Sequence, residues 1–169
     1  MSEQGDSIII ELIKDDLEKK GMMLSDICIN DFITTARAYN NEIHIPRSYL
    51  GKTHPDLKCI VSHEQGHISN KHVMKRNTLG CVLLLSIITC VILLPFYLFF
   101  LYLFFVYIIS MFYNYYQEFQ ADKYALKFND TCYFLHMLSH TTHAFSIKTP
   151  SPKMRAKRIK RKANDKLLL

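Results

Sequence analysis

The residues of this sequence that are best suited to chemistry form the motif His63-Glu64-Gln65-Gly66-His67. On a helix, residues i and i+4 lie on one face, so the two imidazoles can reach a single metal ion. Glu64 lies beside them and can act as a general base toward a water molecule in the site. A pair of surface histidines on a polar helix would give the same pattern. The motif therefore indicates a zinc site and needs support from the rest of the chain.

A second pair of ionisable residues, Glu118 and Asp122, also stands at i and i+4. A catalytic zinc takes three protein ligands and keeps one position open, so Glu118 can supply the third ligand. Asp122 can then accept the outer N–H of a ligand histidine and fix its tautomer. Alone, the two carboxylates would indicate an ordinary solvated helix face. Together with the histidine motif they favour a metal centre holding one zinc ion per chain.

The elements that must position these residues predict an α+β fold that is mostly helical. The helix of the histidine motif has an apolar face at Leu57, Ile60 and Val61, which is typical of a core helix. Asn40-Asn41 separates strand-like stretches and predicts a small β-hairpin beside that helix. The predicted elements are a helix over 7–20 ending at Gly21, strands over 27–35 and 43–46, and helices over about 56–75, 114–140 and 152–163.

A long apolar run separates the two motifs. From Asn77 to Gln117 there is no Asp, Glu, Lys or Arg, which is about twice the roughly 20 residues that one membrane helix needs. Pro95 divides the run into halves at about 78–94 and 96–113. These features predict a transmembrane helical hairpin over 78–113, inserted before the helix that carries the third ligand.

The composition of the whole chain indicates its domain number and its cellular compartment. The 169 residues contain no Gly/Ser/Pro-rich linker, so we expect a single domain over 1–169. The five cysteines are odd in number and form no C-x-x-C pair, which excludes a disulfide framework and fits a reducing cytoplasm. The first residues lack the pattern of a secretory signal. We therefore expect an integral membrane protein whose active site faces the cytoplasm.

The C-terminal part is strongly basic. Lys148–Lys166 contains nine Lys or Arg against Asp165 alone, a charge of +8, whereas the whole chain carries +6. Beside a membrane, this basic C-terminal helix over 148–166 favours anionic lipid headgroups over nucleic acid, and no nucleic-acid partner is expected. A solvated helix face is the other interpretation.

The order of these features resembles the HtpX-like and CAAX-prenyl protease family of membrane zinc metallopeptidases. His-Glu-x-x-His is followed by an apolar hairpin and then by Glu-Phe-x-Ala-Asp at 118–122. Upstream, Ala36-x-Ala-Tyr-Asn40 and Ile43-x-Ile45 resemble the family's hairpin. Downstream, Thr149-Pro-Ser-Pro152-x-x-Arg155 resembles its His-Pro-x-x-x-x-Arg element, so the likeness covers about residues 27–160.

The resemblance implies a zinc-dependent endopeptidase. In that family the two motif histidines and the glutamate of the second motif bind zinc, which implies His63, His67 and Glu118 here. The motif glutamate is the general base, which implies Glu64. Arg155 would help to stabilise the oxyanion. The substrate would be a membrane-associated polypeptide that pairs with the edge of the hairpin near residues 33–45.

Three departures leave alternatives open. Family members commonly carry further membrane helices before the motif, and none is expected before it here. Thr35-Ala36 stands where Asn-Ala is usual, and Thr149 stands where the family has a histidine that can stabilise the oxyanion. His140 or His143 is a conjectural substitute for that histidine. The alternatives are a pseudoprotease that binds partners without cutting them, and a structural membrane hairpin with chance histidines. The other histidines, His44, His54, His72 and His136, are expected to be polar surface residues.

Overall fold

Helices dominate the computed structural model, which describes residues 3–93, 95–140 and 149–167 of the chain. One small sheet accompanies them, so the expectation of a mostly helical α+β fold is confirmed. The elements are α1 (Glu3–Glu18), β1 (Asp26–Ile29), β2 (Arg37–Tyr39), β3 (Glu42–Ile45), a 3-10 turn (Arg47–Gly51), α2 (His54–Ser69), α3 (His72–Leu93), α4 (Phe96–Ala125), α5 (Thr131–His140) and α6 (Pro152–Leu167).

The sheet contains the predicted hairpin and one further strand. Asn40 and Asn41 have φ angles of 49° and 63°, the left-handed conformation that a two-residue hairpin turn between β2 and β3 requires. The predicted strand over 27–35 is wrong in its extent. It ends at Ile29, because the Asn30 side chain accepts the N–H of Phe32 at 2.9 Å and turns the chain. β1 pairs with β3 in parallel, which gives the order β1-β3-β2.

α2 carries the histidine motif and is shorter than predicted. It begins at the N-cap Thr53, whose hydroxyl accepts the N–H of Asp56. It ends at Ser69, because Asn70 donates its side-chain amide to the Gly66 carbonyl and Lys71 adopts a φ of 54°. The predicted helix over 56–75 is therefore two helices, and α3 leaves in a new direction from His72.

α3 and α4 form an antiparallel pair. Ser86 and Tyr102 are joined by a hydrogen bond between their hydroxyl groups, and the Gln117 side chain donates to the His72 carbonyl at 3.1 Å. Of these two pairs, the one with the earlier residue of α3 has the later residue of α4, so the two helices run in opposite directions. Both helices are long and apolar enough to cross a membrane, and neither apolar window is buried against the rest of the protein.

The helix that carries Glu118 differs from the predicted helix over 114–140 at both ends. It runs without interruption from Phe96 to Ala125, so the apolar half and the Glu118 motif share one helix. The predicted helix over 114–140 is instead divided, because α5 starts only at Thr131, after Asp130 accepts the N–H of Cys132. A continuous α4 fixes Glu118 rigidly relative to the apolar segment.

α2 lies between the two apolar clusters of the core. Each cluster fills one side of this helix, so the motif residues are held on a helix packed on both flanks. One cluster joins α1, the sheet and α2 through Ile13, Leu17, Met22, Ile43, Ile45, Leu50, Leu57 and Val61. The other joins α2, α4, α5 and α6 through Cys59, Ala125, Phe134, Met137, Leu138 and Ile159.

The crossing of α2 and α4 is made close by two small residues. A Cβ atom added at Gly66 would lie 2.9 Å from the Cα of Ala121 and 3.0 Å from its carbonyl oxygen. Only glycine allows this approach, since the contacts are to backbone that cannot swing away. His67 is adjacent to one crossing residue and Asp122 to the other, so the crossing brings both motifs together.

Candidate metal centre

Three ligand atoms from α2 and α4 meet at one point. Nε2 of His63 and Nε2 of His67 are 3.3 Å apart. Glu118 places Oε2 3.4 Å from Nε2 of His63 and Oε1 3.6 Å from Nε2 of His67. Tetrahedral ligands bound at 2.0–2.1 Å are separated by about 3.4 Å. Each imidazole nitrogen is thus near this separation from the other and from one oxygen of Glu118, and the three residues could hold a metal ion.

Asp122 and Arg155 hold the outer side of His63. Oδ1 of Asp122 lies 3.0 Å from Nδ1 of His63, which leaves Nε2 of that ring directed at the ligand group. Arg155, on α6, donates to both oxygens of Asp122, with Nε to Oδ2 at 2.9 Å, and its Nη1 lies 3.5 Å from Oε2 of Glu118. His63, Asp122 and Arg155 are buried, whereas Glu118 is half-buried.

His72 was expected to be a polar surface residue, and this expectation is wrong. Its side chain is 3% exposed, and its Nδ1 lies 2.9 Å from Nδ1 of His67. On a continuous helix a residue at i+5 would point away from the face of His67. The break at Lys71 turns the chain and brings His72 to the ligand, so helical spacing could not have revealed it.

The remaining histidines show nothing comparable. His54 and His136 are exposed, and His44 is half-buried beside Glu42. The side chain of His140 and the whole of His143 lie outside the described residues, so the conjecture that either replaces the family histidine stays a prediction.

Glu64 is half-buried beside the ligand group and contacts the sheet. The backbone N–H of Ala38, on β2, lies near its carboxylate and favours the ionised form. Burial raises the pKa of Glu64, and this effect outweighs the nearby positive charge. A carboxyl group with a raised pKa can both accept and return a proton near neutral pH, as a general base must.

The two histidines titrate differently because their partners differ. Burial and the Arg155 charge disfavour protonated His63, but hydrogen bonds to Asp122 and Glu118 outweigh both and raise its pKa to about 9. Burial and the neighbouring His63 lower the pKa of His67 to about 3. Binding of a metal ion would require His63 to lose its proton; with both rings then neutral, the ionised carboxylates of Glu64, Glu118 and Asp122 together with Arg155 would give a formal charge of −2. A divalent cation would balance that charge.

A cavity of about 950 Å³ opens over the ligand group. Its lining includes β2 and the segment before it, from Thr34 to Tyr39, and also Leu138, Thr149 and Pro150. His63, Glu64, His67 and Glu118 all line it as well. The arrangement gives an extended molecule access to the carboxylate of Glu64 and to the ligand group.

Comparison with known proteins agrees with this geometry. A family model described as peptidase family M48 matches residues 17–163, which include all of the site residues on α2, α4 and α6. A search of the curated proteins and a search of the solved structures each gave no match.

Proposed function

This chain belongs to peptidase family M48 and is a metallopeptidase by family, and we propose that it is a membrane-embedded zinc endopeptidase of the HtpX-like and CAAX-prenyl protease type. The observation that carries the proposal is the grouping of His63, His67 and Glu118, whose ligand atoms, one from each residue, lie within 4.8 Å of one another. These separations, two imidazoles with one carboxylate and a compensating charge of −2 all fit a catalytic zinc site.

The proposed reaction is hydrolysis of a peptide bond. A bound zinc ion would supply a Lewis acid that polarises the substrate carbonyl and lowers the pKa of water in the site. Glu64 accepts a proton from the attacking water and then passes it to the leaving amine. Asp122 holds the ring of His63 in place while this happens.

The role of Arg155 at the oxyanion stays a prediction. Its Nε and Nη2 are engaged by Asp122, and its Nη1 is the nitrogen closest to Glu118. Its side chain nevertheless lines the cavity. A contribution to the oxyanion would come from Nη1, whereas the bonds to Asp122 favour a role in positioning the ligand residues.

We propose that an extended polypeptide binds along β2. Tyr39 and Glu42 are the pair next to the hairpin turn. Because the N–H and C=O groups of successive strand residues point to alternate sides, those of Ala38 point away from β3. The contact between the Ala38 N–H and Glu64 supports this direction. A peptide that adds to this edge would lie beside the general base, which is recognition by β-augmentation.

We also propose that the whole of residues 1–169 forms a single domain in which residues 78–113 cross the membrane twice. The unburied apolar faces of α3 and α4 support the crossing, because large apolar side chains such as Leu85, Ile92 and Phe100 are exposed there. The substrate would accordingly be a membrane or membrane-proximal protein. Both ends of the hairpin would face the cytoplasm, since positive charge flanks them.

The basic C-terminal helix, predicted over 148–166, is proposed to contact anionic lipid. The guanidinium of Arg158 lies over the ring of Phe119, 4.1 Å from its centroid, so α6 packs beside the C-terminal part of α4. Lys153, Lys157 and Lys160 are exposed on it. Lys148 and the side chains of residues 162–166 lie outside the described part of the chain. Exposed cations beside the end of the proposed membrane-spanning segment would meet the lipid headgroups.

Metal analysis and casein cleavage on the detergent-solubilised chain test the proposal. We expect one zinc per chain, lost in His63→Ala, His67→Ala and Glu118→Ala. Glu64→Gln is the matched control, because it should keep zinc and lose cleavage. Full zinc in the Glu118→Ala variant would refute the third-ligand assignment.

A pseudoprotease that binds a partner without cutting it is the second candidate. Thr149 favours it, because this residue lines the cavity where the resembled family has a histidine. Intact Glu64 disfavours it, since binding alone has no chemical need for a base. Equal and negligible cleavage by the unchanged chain and Glu64→Gln, both loaded with zinc, would decide for this candidate.

A further inference from the structure

His72 is a buried histidine outside the predicted ligand set, and it contacts a ligand. Its Nδ1 lies 2.9 Å from Nδ1 of His67, and its Nε2 lies 3.4 Å from Oε1 of Gln120. We propose that His72 is a positioning residue which, together with Gln120, fixes the tautomer of His67 that presents an Nε2 lone pair to the metal position. This inference rests on the zinc site proposed above.

The direction of each hydrogen bond follows from the donor and acceptor types. Gln120 donates its amide to the Tyr116 hydroxyl, so its carbonyl oxygen faces His72 and can only accept. Nε2 of His72 must then carry the proton. A neutral imidazole has one N–H, so Nδ1 of His72 is the acceptor, and Nδ1–H of His67 is the donor between the two rings.

The consequence lies on the opposite side of the His67 ring. With its proton on Nδ1, His67 has a free lone pair on Nε2, the atom that is 3.3 Å from His63 and 3.6 Å from Glu118. The other tautomer would place a proton at that position and exclude a cation from it. His72 therefore does for His67 what Asp122 does for His63, with a neutral partner in place of a carboxylate.

The backbone around His72 is fixed to the same helix as Gln120. The Gln117 side chain donates to the His72 carbonyl at 3.1 Å, and Lys71 adopts its left-handed conformation just before it. α4 thus contacts His72 at its backbone and at its ring. This double attachment holds the acceptor in position independently of the exposed surface of α3.

Zinc affinity of the detergent-solubilised full chain, measured by competition with a chelating dye, tests the proposal. Asn and Leu have similar shapes, but only Asn offers an oxygen near the place of the histidine Nδ1. His72→Leu should weaken zinc binding about 10- to 100-fold, the usual effect of losing such a partner. His72→Asn should stay within a few-fold of the unchanged protein.

Cobalt substitution gives a second measurement that does not depend on activity. The visible absorption of the Co²⁺ form should change in His72→Leu and stay unchanged in His72→Asn, because only the former frees the His67 ring to rotate. The exposed His54 provides the matched control, and His54→Leu should bind zinc like the unchanged protein. The melting temperature of the zinc-free variants separates a loss of folding from a loss of positioning.

Each outcome decides the question. Equal zinc affinity in His72→Leu and the unchanged protein would overturn the inference, as would equal weakening in the Leu and Asn variants. If His72→Leu does not fold, Gln120→Leu removes the second member of the chain and should weaken zinc binding; unchanged affinity there would also overturn it. Failure of the unchanged chain to bind zinc would instead refute the proposed function.

Discussion

Arg155 contributes the only positive side-chain charge that contacts the ligand group in the described part of the chain, and its surroundings explain why it is buried. Its guanidinium donates to Asp122 through two nitrogens and approaches Glu118 through the third. A planar guanidinium matches a carboxylate in this bidentate way, which lysine cannot do. Burial lowers the pKa of Arg155, but the negative charge of Asp122 and its hydrogen bond outweigh burial and raise that pKa, so the guanidinium stays charged.

Replacing Arg155 by Met should destabilise the zinc-free protein by about 3–5 kcal/mol, because the buried Asp122 would lose its partner. Zinc affinity should fall as well, since Asp122 positions His63. Thermal unfolding and dye competition measure the two effects. A variant that keeps its melting temperature and zinc affinity but loses only kcat would instead assign Arg155 to the oxyanion.

The double variant Asp122→Leu with Arg155→Met provides the control for that prediction. It removes the Asp122 carboxylate together with the Arg155 charge that opposes it, so its melting temperature should recover part of the loss seen in Arg155→Met. A double variant no more stable than the single one would show that packing, and not charge pairing, dominates at this site.

Thr149 is exposed and lines the same cavity as β2. If this position faces the developing oxyanion, Thr149→His would add a hydrogen-bond donor there. Casein cleavage should then rise, by up to the order of 10²-fold in kcat. An unchanged or lower rate in a folded, zinc-loaded variant would mean that the backbone here approaches the substrate differently from the resembled family.

The sequence predicted which candidate ligand residues come together, because helical periodicity determines which side chains share a face. His63 and His67 needed only the i, i+4 rule, and so did Glu118 and Asp122. Sequence analysis missed His72, because its contact with His67 depends on a helix break at Lys71 that Asn70 induces. No local pattern encodes a contact that arises from the meeting of three helices.

At the scale of helices, the crossing of α2 and α4 controls the geometry of the site. Gly66 stands in the unspecified part of the His-Glu-x-x-His motif, yet its Cα faces the backbone of Ala121. Glycine within a helix costs about 1 kcal/mol relative to alanine, which by itself indicates a packing requirement. The sequence thus held a signal for this crossing that spacing arguments did not use.

Gly66→Ala should push α2 and α4 apart by a few tenths of an ångström, because the added methyl meets backbone at 2.9 Å. Overpacking of this kind costs about 1–3 kcal/mol, offset in part by the better helix propensity of alanine. The net change in stability should be small, whereas zinc affinity should fall, since His67 and Glu118 move with the helices.

Gly80→Ala is the matched control, because a Cβ at Gly80 meets nothing within 4 Å and lies on α3. It should gain a little helix stability and leave zinc binding unchanged. Equal zinc affinity in Gly66→Ala and Gly80→Ala would show that the crossing tolerates the methyl group and does not limit the site.

Element boundaries were the least predictable part of the fold. α2 ends where Asn70 bonds back to Gly66, and α4 passes the end of the apolar run without a break. Side-chain capping decided the first boundary, and the absence of any breaker residue between Phe96 and Ala125 decided the second. The hairpin turn at Asn40-Asn41 was predictable because only a few residue types accept its backbone conformation.

At the scale of the whole molecule, the metal site constrains how the chain meets a membrane. His63 and His67 precede the apolar run and Glu118 follows it, yet their ligand atoms lie within 4.8 Å of one another. A single crossing would put Glu118 roughly 30 Å away, on the other side of the hydrocarbon layer. If the run enters a membrane, as proposed, it must therefore cross an even number of times or enter and leave by the same face.

Cysteine labelling of intact cells tests the proposed double crossing and its direction. Met74→Cys, before the run, and Lys153→Cys, after it, should both resist a membrane-impermeant thiol reagent, since Lys71, Lys75 and Arg76 and the basic α6 keep these ends in the cytoplasm. Phe96→Cys, beside the turn, should be labelled if the hairpin spans the bilayer. Labelling of the unchanged chain, which contains five cysteines, is the blank.

The three positions together separate the arrangements that the site permits. Resistance at all three would indicate a hairpin that dips into one leaflet, which keeps the metal site and removes the crossing. Labelling at 74 and 153 but not at 96 would keep the hairpin and reverse its direction. Labelling at only one of positions 74 and 153 would require an odd number of crossings, and no such topology lets Glu118 reach His63 and His67.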